Sequence, residues 1–106
     1  MRTAEINKWI EEGGSLPQDL TQEEEDHLTK LGWSVDVRWR SNGQKWYEAD
    51  YLHGKPHGKW ERWHDNEQKW YEWNWLHGMK HGVFKERGED GDLLVDEEYY
   101  YGNRIK

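Results

Sequence analysis

Apolar and polar positions follow two different periods along this chain. Over residues 3–12, Ile6, Trp9 and Ile10 share one face at helical spacing, with Thr3 placed to cap the segment and Gly13-Gly14 to stop it. Ser15-Leu16-Pro17 reads as a connector. Thr21 with Glu24 three residues on fits a capping box, Leu20, Leu28 and Leu31 form a partial apolar stripe, and Gly32 fits the stop that follows. Helices this short are unstable alone, so residues 1–32 are expected to form a two-helix cap packed on the rest. From Trp33 the alternation changes to the period of a strand.

A repeat then dominates the pattern. Residues 39–62 and 63–86 align at an offset of 24 with 12 of 24 positions identical: Trp39/Trp63, Asn42/Asn66, Gln44/Gln68, Lys45/Lys69, Trp46/Trp70, Tyr47/Tyr71, Glu48/Glu72, Leu52/Leu76, His53/His77, Gly54/Gly78, His57/His81 and Gly58/Gly82. A weaker third copy, residues 87–106, keeps Asp90-Gly91, Tyr99 and Gly102. Asn42-Gly43 and Asp90-Gly91 suit type I′ hairpin turns, Asn66-Glu67 reads as a looser version, and His-Gly-x-x-His-Gly at 53–58 and 77–82 supplies the reversal between hairpins. The expected fold is mainly β: an antiparallel hairpin meander of about six strands over residues 33–106.

The repeat residues Trp39, Asn42, Gly43, Gln44, Lys45, Glu48, Tyr51, Gly54, Lys55 and Gly58 resemble the MORN repeat family, in its bacterial and phage variant. The second copy matches at Trp63, Asn66, Gln68, Lys69, Glu72, Gly78 and Gly82, and departs at Glu67, Trp75 and Met79. The resemblance implies a non-catalytic binding sheet. It also implies an antitoxin-like role, by analogy, or protein scaffolding or binding of acidic lipid as in other members.

Composition changes the picture of the core. Leu, Ile, Val and Phe together number only 16 of 106, which by itself suggests disorder. The 9 Trp, 6 Tyr and 1 Phe argue the other way. Each large ring buries roughly 150–250 Å², so rings replace the missing aliphatic core. Strict alternation puts Lys45, Tyr47, Ala49 and Tyr51 on one face with Lys69, Tyr71, Trp73 and Trp75. The other face takes Trp46, Glu48, Asp50 and Leu52 with Trp70, Glu72, Asn74 and Leu76. The first face is expected to be the core under the helices, and the second an aromatic, acidic groove.

Charge and chemistry exclude several classes. The chain has no cysteine, no run apolar enough to span a membrane and no signal-peptide pattern at its start, so the cytoplasm is the expected location. The net charge of −7 is concentrated in residues 1–32 (net −5) and 87–106 (net −3), which makes nucleic acid and anionic membranes poor partners. His53, His57, His77 and His81 invite a metal reading, but they recur at turns without a completing ligand set, so no metal or cofactor is assigned. Glu48 and Glu72 stand two strands apart, about 9–10 Å, yet a meander offers no enclosed cleft for catalysis. The expected function is non-enzymatic binding of another protein, as an inhibitor or adaptor. Its partner-binding residues are Trp46, Tyr47, Glu48, Trp70, Tyr71, Glu72, Trp73 and Trp75, because Trp and Tyr dominate binding hot spots. The alternatives are an acidic nucleic-acid mimic through Glu23–Asp26 and Asp90–Glu98, a lipid- or glycan-binding sheet, and self-association through an exposed strand.

Overall fold

The computed structural model describes all 106 residues. Helices α1 (Thr3–Glu12) and α2 (Gln22–Lys30) precede seven strands: β1 (Trp33–Trp39), β2 (Lys45–Leu52), β3 (Lys55–Trp63), β4 (Lys69–Leu76), β5 (Met79–Arg87), β6 (Leu93–Tyr100) and the short β7 (Asn103–Arg104). They form one antiparallel sheet in the order β1-β2-β3-β4-β5-β6-β7. The hairpin meander is as expected, with one more strand. No helix is long and apolar enough to cross a membrane.

Glu24 ties the two helices together. The capping box forms: Thr21 Oγ1 accepts the Glu24 N–H at 3.2 Å, and Glu24 Oε1 accepts the Thr21 N–H at 3.0 Å. The same carboxylate accepts Arg2 N–H, Nε and Nη2 at 3.0, 3.0 and 2.6 Å. The N-cap of α1 is therefore Arg2 rather than Thr3, whose side chain makes no cap bond. The Arg2 side-chain bonds, with the Thr21 and Arg2 amides, hold the Glu24 carboxyl far below the usual carboxylate range.

The cap covers the opposite face of the sheet from the one expected. Ile6, Trp9, Leu28 and Leu52 form the apolar core, with Ile10, Leu16, Leu20, Leu31 and Trp33 against them. Trp33 and Leu52 are cross-strand partners, so the helices lie on the face of Leu52 and Asp50. A Cβ added at Gly13 would stand 3.0 Å from the Trp75 carbonyl, so the end of α1 presses on β4.

The two kinds of turn exchange the places expected of them. His53-Gly54 (φ 52°, 75°), His77-Gly78 (48°, 83°) and Tyr101-Gly102 (46°, 87°) are the two-residue turns with both φ positive, as type I′ requires. At Asn42-Gly43 only Gly43 is left-handed (φ 87°). Its N–H donates to Arg40 O at 2.9 Å, and Arg40 N–H donates to Gln44 O at 2.7 Å. This is a three-residue loop ending in a left-handed residue. Asn42 Oδ1 accepts the Gln44 N–H at 3.0 Å, which keeps Asn42 itself out of the left-handed region. The Asn66-Glu67 turn is not looser: His64 and Gln68 repeat the same bonds, and Glu67 is forced to φ 72°.

The second His-Gly of each motif locks one repeat to the next. The I′ residue His77 donates its N–H to His57 Nδ1 at 3.0 Å, and Tyr101 donates to His81 Nδ1 at 2.9 Å. Because His57 Nδ1 accepts, its proton sits on Nε2, which donates to Trp9 O at 2.7 Å. Trp9 meets the His57 ring edge-on at 4.5 Å, and a Cβ at Gly58 would lie 2.3 Å from Trp9 Nε1. One histidine thus fixes both the cap and the following hairpin.

Glu67→Gly relieves a left-handed non-glycine residue and raises stability by about 1 kcal/mol, read as a higher urea midpoint. Gly58→Ala drives a methyl into Trp9, and hydrogen exchange in α1 is expected to quicken well before exchange in β4 and β5.

Candidate functional site: an uncovered face of rings

In the β1-β2, β3-β4 and β5-β6 hairpins the second strand carries one extra residue. Pairing shifts between Arg38 and Trp39, between Arg62 and Trp63 and between Glu86 and Arg87, leaving Trp46, Trp70 and Leu94 as the bulged residues at the same repeat position. A bulge breaks the alternation. Lys45 and Lys69 therefore turn to the helix face, where Lys45 meets Glu48 at 2.6 Å and Lys69 pairs with Glu61. Trp46 and Trp70 turn toward Arg62, whose guanidinium lies 5.1 and 4.4 Å from their ring centres. His64 stacks on Trp70 at 4.8 Å. The Arg62 Nε is buried without a hydrogen-bond partner, so the rings take the place of an anion there.

The face away from the helices is a continuous field of rings. One line crosses five strands: Tyr51–Trp60 at 5.4 Å, Trp60–Trp75 at 5.4 Å, Trp75–Phe84 at 5.4 Å and Phe84–Tyr99 at 5.1 Å. Beside it Tyr71 stacks on Trp73 at 4.1 Å, and Trp73 on Phe84 at 6.0 Å. Lys80 closes the far end, 5.2 Å from the Phe84 ring centre and 4.8 Å from that of Tyr99. Phe84 is buried beneath its neighbours and Ala49 with it, while the other rings are partly buried, mostly by one another, since no helix or second sheet covers them; Trp70 is the most open. Burial pushes the Tyr47 hydroxyl up to about 12 and raises that of Tyr71. The Trp75 Nε1 donor is buried without a partner.

Of the eight residues expected to bind, Trp46, Tyr47, Trp70, Tyr71, Trp73 and Trp75 come together on this face. Glu48 and Glu72 do not. They face the helices in one cross-strand row, with Glu61 directly between them. Lys59 meets Glu72 at 2.9 Å, and Lys69 reaches it at 3.9 Å. Burial alone would raise the Glu72 carboxyl, but the Lys59 bond and the Lys69 and Lys85 charges hold it below the usual range. Sequence reasoning missed Trp60, Phe84 and Arg62. The repeat offset carries the signal for the first two, an aromatic at the same place in both copies. Arg62 gives none, since Glu86 stands at its equivalent.

The helix face also holds a cleft of about 430 Å³, lined by Leu16 and Leu20 on one side and Trp33, Val35, Val37, Glu48, Asp50 and Glu61 on the other. Asp50 at its floor accepts the Trp33 indole N–H at 3.0 Å. Burial pushes its carboxyl up to about 7, a shift the Trp33 bond opposes and Glu48 and Glu61 reinforce. No family model matches the chain, and no curated protein or solved structure matches it either.

Asp50 and His57 give stability an opposed pH dependence. The raised Asp50 carboxyl binds its proton more tightly in the folded chain, so its contribution is full in acid and lost as pH rises to about 7. Burial lowers the His57 pKa despite the Trp9 carbonyl, so its contribution is present above the unfolded value of about 6.5 and lost on acidification. Asp50→Asn keeps the acceptor for Trp33 and removes the first effect. Its urea midpoint is expected to exceed the wild type's at pH 8 and to fall more steeply toward pH 5. Arg62→Ala removes the cation between two indoles, which should cost on the order of 1–2 kcal/mol and shift tryptophan emission to longer wavelength.

Proposed function

We propose that the ring face binds another protein and that the chain acts as a non-enzymatic inhibitor or adaptor. The observation that carries this reading is the large aromatic face left uncovered by any other element. Contiguous, partly exposed aromatic surface of this kind favours interaction, and Trp and Tyr supply the rigid anchors of hot spots. The charges on the face are mixed and spread over it: Arg38, Arg62 and Lys80 stand among Asp36, Glu86 and Glu97. Binding there is therefore dominated by rings and is weakly dependent on salt. The MORN resemblance of the repeat supports a binding sheet and suggests the antitoxin-like role attached to the bacterial and phage variant.

The test is affinity capture from a host lysate at low and high salt, with wild type beside Trp73→Ala/Trp75→Ala and a thermal melt of each. A stoichiometric protein retained in salt and lost with the two indoles supports the reading. Capture that survives the double substitution but disappears in salt overturns it and moves the site to the acidic ends.

A further inference from the structure

The longest open edge of the sheet is β1, and the turns beside it fix its backbone polarity. β1 ends the strand order and has a neighbour on one side only. His53 donates its N–H to Gly32 O at 2.9 Å just before β1, and Arg40 donates to Gln44 O at 2.7 Å just after it. Leu52 opens the two-residue turn to Lys55, so its own backbone bonds run toward β3 and those of Tyr51 toward its partner Ser34. The even-numbered residues of β1 are therefore committed to β2. The N–H and C=O groups of Trp33, Val35, Val37 and Trp39 point outward. Their side chains lie on the cleft face, where Val35 is 37% and Trp39 60% exposed. On the ring face of the same strand Asp36 and Arg38 pair with each other at 3.2 Å, both partly open to solvent.

We propose that a second copy of this chain pairs antiparallel with β1 about a two-fold axis at Val37, joining two sheets into one. The outward amides fix the choice of register. Both members of each hydrogen-bonded pair must be odd-numbered, so the axis passes through a residue, and Val35, Asp36 and Val37 are the choices that keep most of β1 paired. An axis at Asp36 sets the two Asp36 carboxylates directly opposite, which is destabilising. An axis at Val35 places Asp36 against the partner's Ser34 and leaves Arg38 beyond the strand. The axis at Val37 alone sets Asp36 opposite the partner's Arg38 and Arg38 opposite the partner's Asp36. On the cleft face it brings Val37 against the partner's Val37, and Trp39 over the partner's Val35. It also uses the end of β1 farther from α2, which stops at Lys30. The contact is isologous and self-limiting, as a closed dimer requires. Of the ring face it uses only the Asp36 and Arg38 charges at the β1 edge, and the rings themselves stay open.

One strand edge is a small interface, so a weak dimer is expected, to be sought from about micromolar concentration upward. Sedimentation equilibrium of the full chain across that range should show monomer and dimer only. Val37→Pro removes an outward N–H without touching the bonds to β2 and should leave monomer. Asp36→Arg and Arg38→Asp, each alone, set like charges across the axis and should weaken the dimer at least tenfold. The double exchange Asp36→Arg/Arg38→Asp should restore it, which keeps the test decisive where the proline variant fails to fold. A chain that stays monomeric throughout overturns the proposal. So does a dimer that ignores both the proline and the charge exchange, or one lost only in Trp73→Ala/Trp75→Ala, which places self-association on the ring face.

Discussion

A single-layered sheet has no opposite layer to bury its side chains against, and that constraint shapes the rest of this protein. Only 12 of 106 residues are buried; four of the buried apolar ones cluster at the corner where two short helices meet Trp33 and Leu52, and Ala49, Leu76 and Phe84 are buried outside that cluster. Elsewhere the sheet shields its backbone with side chains lying across their neighbours. Rings suit this because each covers a large area with few torsions to freeze. The line from Tyr51 to Tyr99 takes one ring from each of five adjacent strands, so each strand covers the next. The same arrangement leaves the outer surface of the rings in water, and stability and availability for binding have one origin.

The other face solves the problem with charge. Glu48, Glu61 and Glu72 lie in one row across β2, β3 and β4, a sequence of like charges that opposes the sheet when unpaired. Lys45, Lys59 and Lys69 neutralise them from the flanking rows. Two of these lysines reach that face only because the bulges at Trp46 and Trp70 turn them over. One backbone irregularity thus delivers a cation to the acidic row and an indole to Arg62 on the other side.

The histidines connect these layers. His57 receives the turn of the following repeat through Nδ1 and the end of α1 through Nε2, so its neutral tautomer is part of the fold. His81 repeats the first half of this arrangement with Tyr101. A metal-like spacing in the sequence is here the signature of a repeat joint. The left-handed residue opening each I′ turn has an N–H that needs an acceptor: Gly32 O supplies it at His53, and an imidazole from the preceding repeat supplies it at His77 and Tyr101.

The sequence alone determined the two-helix cap, the capping box at Thr21, the three repeat units, the antiparallel meander and the concentration of aromatic residues on strands. These follow from local periodicity, from glycine placement and from the offset of 24, none of which needs distant contacts. Which aromatic residues share a face was a different matter. Alternation assumes an unbroken strand, and one extra residue at Trp46 and Trp70 inverts everything on the turn side of it. The turn types were exchanged for a similar reason. Asn42 finds its bond within its own loop, whereas His53 and His77, both left-handed, donate their N–H groups to distant acceptors, Gly32 O and His57 Nδ1. The face that the helices cover, and so the face left open, was decided by Trp9 fitting against His57 and Gly58. That fit exists only once the chain has folded back on itself.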